Sequence, residues 1–332
     1  MTDATSPAAD LPGQTAGPRL AHLPISFFAA VMGLAGLALA LHAGEAALGL
    51  PEWPARAALV ATVAAFAGLA GLYALKTVRH PQAVAAEWHH PVKLAFFPAV
   101  TISMLLVATA LAPHSEGVAR ALWLIGAGGQ GALTLAVVSG WIGRRPFQPM
   151  HISPAWFIPA VGNVVVPVAG VPLGFVELSW LFFSAGLVFW IVLLTLVVNR
   201  LIFHDPLPGR LLPTLVILIA PPAVAFLAWV QLTGAGDDPA GRIFLNTAFV
   251  FAAVVALQVP ALARLTFALS FWALSFPLAA LAIASMRFGT LVASPAHLWI
   301  GGAALALLVL VVLGLVARTA LAVLRGEICR PE

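Results

Sequence analysis

Nine histidines, one cysteine and twelve Asp or Glu residues are the side chains in these 332 residues with which a metal centre or a catalytic site could be built. Their spacing builds neither. The histidines (His22, His42, His80, His89, His90, His114, His151, His204 and His297) fall in loops or at the ends of apolar runs. No two stand at i, i+4 within one helical run, and no acidic cluster joins them at zinc-ligand spacing. Cys329 is the single cysteine, which excludes an internal disulfide and any cysteine-based metal site. The Gly126 to Gly131 stretch is not a phosphate loop, because no strand precedes it and no Lys-Ser/Thr follows. With no nucleophile set beside a base, the chain reads as a non-enzyme that needs no cofactor and no metal.

The polar groups left over are sparse and uncharged. Inside the first, third, fifth, seventh and ninth of the long apolar runs stand Ser26, Thr101, Ser103, Asn163, Thr214, Gln231, Ser270, Ser275 and Ser285, and no Asp, Glu, Lys or Arg lies at mid-depth in any run. Proton pumps and cation-coupled carriers bury an acid or a charge pair at that depth, so this pattern argues against both. An anion path fits better. Broken helices present positive half-dipoles to an anion, and basic side chains at the mouths raise its local concentration. Ser26, Thr101, Asn163 and Ser275 are the candidate lining residues, with Lys93, Arg144 and Arg145 at one mouth and Arg287 at the other.

The elements that must position these groups follow from composition. Hydrophobic residues make up 62% of the chain and charged ones 8%, against about a quarter charged in soluble proteins. A membrane is the solvent that suits such a chain. A span needs about 20 apolar residues, and ten runs qualify: 23–41, 54–75, 92–112, 119–142, 154–173, 176–203, 211–232, 241–262, 267–286 and 296–324. The expected organisation is a disordered cytoplasmic tail over 1–21, a ten-helix transmembrane domain over 22–325 and a short cytoplasmic tail over 326–332. If the spans alternate, Arg56, Arg120, Arg242 and Arg287 face one side and the other 12 of the 16 basic residues face the side holding both termini. The positive-inside rule places both termini in the cytoplasm. The same rule accounts for the net charge of +4 without nucleic acid as a partner.

Prolines deep inside runs fall on odd-numbered spans: Pro98 in the third, Pro159 and Pro167 in the fifth, Pro221 and Pro222 in the seventh, Pro277 in the ninth. A proline kink frees a carbonyl that must find protein or water, so kinked helices belong inside. The predicted architecture is five hairpins, each pairing a bent inner helix with a straighter outer one, around a central axis. On the ninth span, Phe276 stands directly before Pro277 and is followed by Ala279, Ala280, Ala282 and Ala284. A ring at that kink could close a lumen by bulk and by dewetting. The glycine pairs Gly33/Gly36, Gly68/Gly71 and Gly140/Gly143, with Gly128-Gly129, read as close-packing positions between helices.

Three segments carry a resemblance: His90-Pro91-Val92-Lys93 leading into Phe96-Phe97-Pro98; Trp156-Phe157-Ile158-Pro159-Ala160-Val161-Gly162-Asn163 with Pro167; and Phe271-Trp272 with Ser275-Phe276-Pro277. In that order they resemble the tellurite-resistance/dicarboxylate transporter family, which includes the TehA proteins, the yeast malate permease and the plant guard-cell slow anion channels. The resemblance implies five hairpins in quasi-fivefold symmetry around a pore, a homotrimer with one pore per subunit, and occlusion of that pore by a phenylalanine that matches Phe276. It also implies two functions in the bacterial inner membrane. One is a channel for chloride- or nitrate-like anions; the other is a carrier, passive or proton-coupled, for malate-like C4-dicarboxylates. Nothing in the chain resembles a tellurite-reducing or tellurite-methylating site, and the long phosphorylatable tails of the plant channels have no counterpart in it.

Overall fold

In lipid a backbone must satisfy its own polar groups, so apolar runs that cross it become helices. The computed structural model describes residues 19–143 and 147–329, and among these every regular element is helical. The α-helices are α1 (Phe28–Leu48), α2 (Trp53–Arg79), α3 (Pro81–His89), α4 (Ala99–Leu111), α5 (Glu116–Gly143), α6 (Phe157–Val161), α7 (Val166–Gly170), α8 (Val176–Phe203), α9 (Ala220–Thr233), α10 (Pro239–Ala256), α11 (Val259–Leu262), α12 (Ser275–Leu291) and α13 (Pro295–Leu324).

Burial separates them into two layers, in the order the prolines predict. The spans containing α1, α4, α9 and α12 are 56 to 78% buried, whereas α2, α5, α8, α10 and α13 are 11 to 33% buried. The buried segments pack in a closed cycle: α1 on α4, α4 on α7, α7 on α9, α9 on α12, and α12 back on α1. Each outer helix covers its own inner partner. Exposed Leu, Ile and Val side chains crowd the outer helices, as a hydrocarbon-facing belt requires, and Trp53 and Trp299 stand exposed near the starts of α2 and α13, where membrane interfaces favour indoles.

Every inner segment enters as a 3₁₀ turn before it becomes α-helical: Ile25–Phe27, Lys93–Phe96, Pro154–Trp156, Leu212–Ile219 and Leu269–Leu274. Proline is one physical cause. Pro98 has no N–H for the Leu94 carbonyl, and Phe97 N donates to that carbonyl instead, at 3.3 Å. The junction residues Pro98, Ile219 and Leu274 are all right-handed helical, so the kinks are changes of winding and not gaps. This corrects the expectation of free half-helix N-termini in the middle of the path.

Three further expectations change. Nine helices, not ten, are long and apolar enough to cross a membrane among the described residues; the fifth run is shorter, Pro154–Gly170, and is broken into 3₁₀ and α pieces. The 3₁₀ turn Arg19–His22 overlaps the end of the stretch expected to be a tail, the rest of which lies outside the described residues. Of the glycine pairs, a β-carbon on Gly33 would sit 2.1 Å from Ser275 Oγ and one on Gly36 2.8 Å from Ala279 Cβ, while Gly68, Gly71, Gly140 and Gly143 face open space. Of the 128–129 pair, only Gly129 meets a neighbour, Thr101. The Gly33/Gly36 face therefore sets how closely α1 and α12 approach.

The two ends of the described chain meet. Gly326, left-handed at φ +63°, ends α13 with Glu327 N donating to Ala322 O at 2.8 Å, a Schellman turn that folds the chain back beside Arg19. Both ends of the described chain therefore lie on one side of the helical layer.

Candidate functional site

A cavity of about 270 Å³ opens inside the ring, and all five inner segments line it with their C-terminal ends. From α1 come Gly36, Leu39, His42, Ala43, Ala46 and Ala47; from α4, Leu106 and Thr109; from the fifth run, Val165 and Val168. α9 supplies Val224, Leu227, Val230 and Gln231, and α12 supplies Phe276, Ala279, Ala280, Ile283, Met286, Arg287 and Thr290. On α12 the lining runs from Phe276 at the inner limit to Thr290 near the mouth, a rise of about 21 Å at 1.5 Å per residue. The five inner segments therefore run parallel, and the cavity occupies the half of the ring remote from the chain termini.

Phe276 is the bulky ring at the inner limit. It is half-buried and packs against Gly36 of α1, where a β-carbon would approach its Cδ2 to 3.5 Å. Phe271, one turn earlier, does not line the cavity; it packs with Trp272 and Phe267 toward α13. Trp272 is anchored there by its Nε1, which donates to Thr319 Oγ1 at 3.0 Å.

The other predicted site residues are placed differently. The single hydroxyl proton of Thr101 is shared between Pro98 O at 2.9 Å and Gln130 Oε1 at 2.7 Å. Asn163 donates to Ala160 O at 2.7 Å and to Thr134 Oγ1 at 3.1 Å. Ser275 donates to Trp272 O at 2.6 Å and faces Gly33. All three are buried among helices and none lines the cavity; Ser26 is half-buried in the Ile25–Phe27 turn. Lys93 starts the 3₁₀ segment that packs beside that turn, toward the chain ends, and Arg287 lines the cavity itself. Arg144 and Arg145 lie outside the described residues.

Two polar groupings escape a reading of the sequence. The first is on α5. Gln130 Nε2 and Thr134 Oγ1 both donate to Pro159 O, at 3.3 and 2.7 Å, and Trp123 Nε1 donates to Val166 O at 3.0 Å. Where the fifth run changes from α to 3₁₀ winding, its carbonyls lose their regular partners, and the outer helix supplies donors. Gln130 and Thr134 stand at i, i+4, a one-face spacing that was the available signal.

The second grouping is a buried ion pair toward the chain ends. Lys76, 1% exposed, donates to Glu87 Oε2 and to Leu23 O, both at 2.8 Å. Tyr73 donates to the same carboxylate oxygen at 2.8 Å, and Ile25 N donates to Glu87 Oε1 at 3.3 Å. One carboxylate thus ties α2, α3 and the entry of the first inner segment together. Tyr73 and Lys76 share a helix face at i, i+3, and Glu87 stands alone in a short, mostly apolar helix; those were the signals present.

Known proteins match this sequence over most of the chain. The S-type anion channel SLAH3 of Arabidopsis thaliana is 28% identical over 292 residues, 86% of this chain and 46% of that protein. The guard cell S-type anion channel SLAC1 of the same plant is 25% identical over 222 residues, 65% and 40% respectively. The tellurite resistance protein TehA homolog of Haemophilus influenzae is 26% identical over 268 residues, 80% of this chain and 81% of that one. The matched region thus spans less than half of these plant relatives. The two plant relatives are named as anion channels. Residues 22–320 fit the family described as SLAC1, voltage-dependent anion channel, and this chain is a multi-pass membrane protein belonging to that family.

Proposed function

We propose that the chain conducts small anions through the ring of inner segments, past Phe276, with one pathway in each subunit. The observation that carries this reading is the lining: five parallel segments enclose one cavity, its inner limit is a phenylalanine ring, and no carboxylate lines it. A passive channel fits this better than a proton-coupled carrier that moves its proton on a carboxylate in the path; the titratable ring in the lining, His42, is held by Glu45. The buried carboxylate Glu87 is held by Lys76, Tyr73 and Ile25, away from the cavity. The membrane is the bacterial inner membrane, with both chain ends in the cytoplasm and the cavity opening outward.

The test is anion efflux from proteoliposomes. Chloride and nitrate are expected to leave at rates that rise linearly with their gradient and do not depend on a proton gradient. Saturable malate uptake driven by acid outside would establish the carrier instead.

Two structural parts belong to the same reading. The five inner segments form a quasi-fivefold pore domain over 22–325, with Pro98, Pro159, Pro221 and Pro277 setting its kinks. The subunits assemble as a homotrimer, each with its own pore. After subtraction of bound detergent, the solubilised protein is expected to have three times the 34.5 kDa chain mass. A stable single-chain mass in gentle detergent and in lipid nanodiscs would remove the trimer.

A further inference from the structure

The cavity that leads to Phe276 has an electrostatic problem. Its mouth is ringed by the C-terminal ends of five parallel helical segments, whose last turns reach it at Ala47, Thr109, Val168, Gln231 and Thr290. Helix C-termini carry partial negative charge, and the continuous winding at the 3₁₀/α junctions leaves no exposed N-terminus at mid-path to offset it. By backbone alone, this mouth repels anions.

Side chains supply the correction, and few can. Of the five polar residues lining the cavity, Thr109 and Thr290 donate their hydroxyl protons to Leu105 O and Met286 O of their own helices, at 2.8 and 3.0 Å. His42 Nδ1 donates to Glu45 Oε2 at 2.9 Å, so the other nitrogen of the neutral ring carries no proton to offer an anion. Glu45 itself does not line the cavity. Gln231 and Arg287 are exposed to the cavity, and neither is held by a protein partner among the described residues. Other basic residues at this end are engaged: Arg120 with Glu116, Arg56 with Glu52, and Arg242 with Asp237 O.

We propose that this cavity is a capture site for one small, singly charged inorganic anion, held by Arg287 with the Gln231 carboxamide as an additional donor. One unopposed guanidinium in a mostly apolar cavity balances one negative charge. A dicarboxylate would bring a second charge for which the lining holds no unopposed cation. The inference rests on the anion-channel reading and names its substrate class.

The test uses single-channel recording in planar bilayers, on the Phe276→Ala background so that the path conducts. At about 0.01 M salt the screening length is about 30 Å and spans the cavity; at about 1 M it is about 3 Å. Arg287→Gln is expected to lower chloride conductance about fivefold at the low concentration, the effect of a unit charge a few ångströms from the ion in water, and to leave it nearly unchanged at the high one. Arg287→Lys should restore most of it, and Arg242→Gln, a basic residue at the same end that does not line the cavity, should have little effect. Malate on the cavity side should compete with chloride poorly. Equal effects of Arg287→Gln and Arg242→Gln, no effect of Arg287→Gln at low salt, or malate held more tightly than chloride would each overturn the site. If the Phe276→Ala protein with Arg287 intact passes no anion current, the channel reading fails, independently of the site.

Discussion

Replacing Phe276 with alanine is expected to raise anion conductance at least about tenfold, each 1.4 kcal/mol removed from a permeation barrier being worth that factor. The ring is the inner limit of a cavity that five segments line, and it stands beside small neighbours, Gly36, Ala279 and Ala280. In the proposed gating role, removing it takes away both the steric plug and the apolar constriction that excludes water, while Pro277 still sets the bend. The fold should tolerate the loss. Truncating a fully packed phenylalanine costs about 3 to 5 kcal/mol, but Phe276 is half-exposed to the cavity, so expression and assembly size should change little. Phe276→Leu should conduct at an intermediate level. Phe271→Ala, whose ring packs toward α13, should lower thermal stability and leave the current near wild type. Current through Phe271→Ala with a silent, well-folded Phe276→Ala would mean that α12 presents a different face to the path.

The largest expected loss of stability is at Glu87. Its carboxylate accepts from Lys76, Tyr73 and Ile25, and Glu87→Ala would leave an ammonium 1% exposed with only the Leu23 carbonyl as partner. Stranding one member of a buried pair costs about 3 to 5 kcal/mol. The melting temperature of the detergent-solubilised protein should fall accordingly. The double variant Lys76→Met/Glu87→Leu, which removes both charges and keeps the volume, should recover most of the loss, since an apolar replacement of a buried pair is often neutral. A double variant as unstable as Glu87→Ala would show that the hydrogen bonds to Tyr73 and Ile25, and not the stranded charge, hold this corner.

Proline placement made the inner and outer layers legible in the sequence, because a kinked helix in lipid needs protein around the carbonyl it frees. The place of Phe276 in the cavity lining was legible for the same reason, since it directly precedes the proline of the ninth run. The azimuth of the polar residues was not. Thr101, Asn163 and Ser275 sit on the inner segments yet point into helix contacts, because 3₁₀ winding turns 120° per residue where an α-helix turns 100°. Over the eight residues of Leu212–Ile219 the difference is about 160°, enough to exchange a lumen face for a buried one. Gln130 and Thr134 were hidden for a different reason: they answer carbonyls on a neighbouring element whose winding no local pattern announces. Lys76 reads in the sequence as a loop charge that orients the chain, and only the return of α3 brings Glu87 to it.

The most direct measurement of the central claim is the reversal potential of the Phe276→Ala protein in a planar bilayer under a chloride gradient. Conduction of anions through the inner ring predicts a reversal at the chloride Nernst potential, which shifts when nitrate replaces chloride on one side and stays fixed when the cation is changed. A reversal that follows the cation gradient, or a transport signal without current that requires a proton gradient, would contradict it.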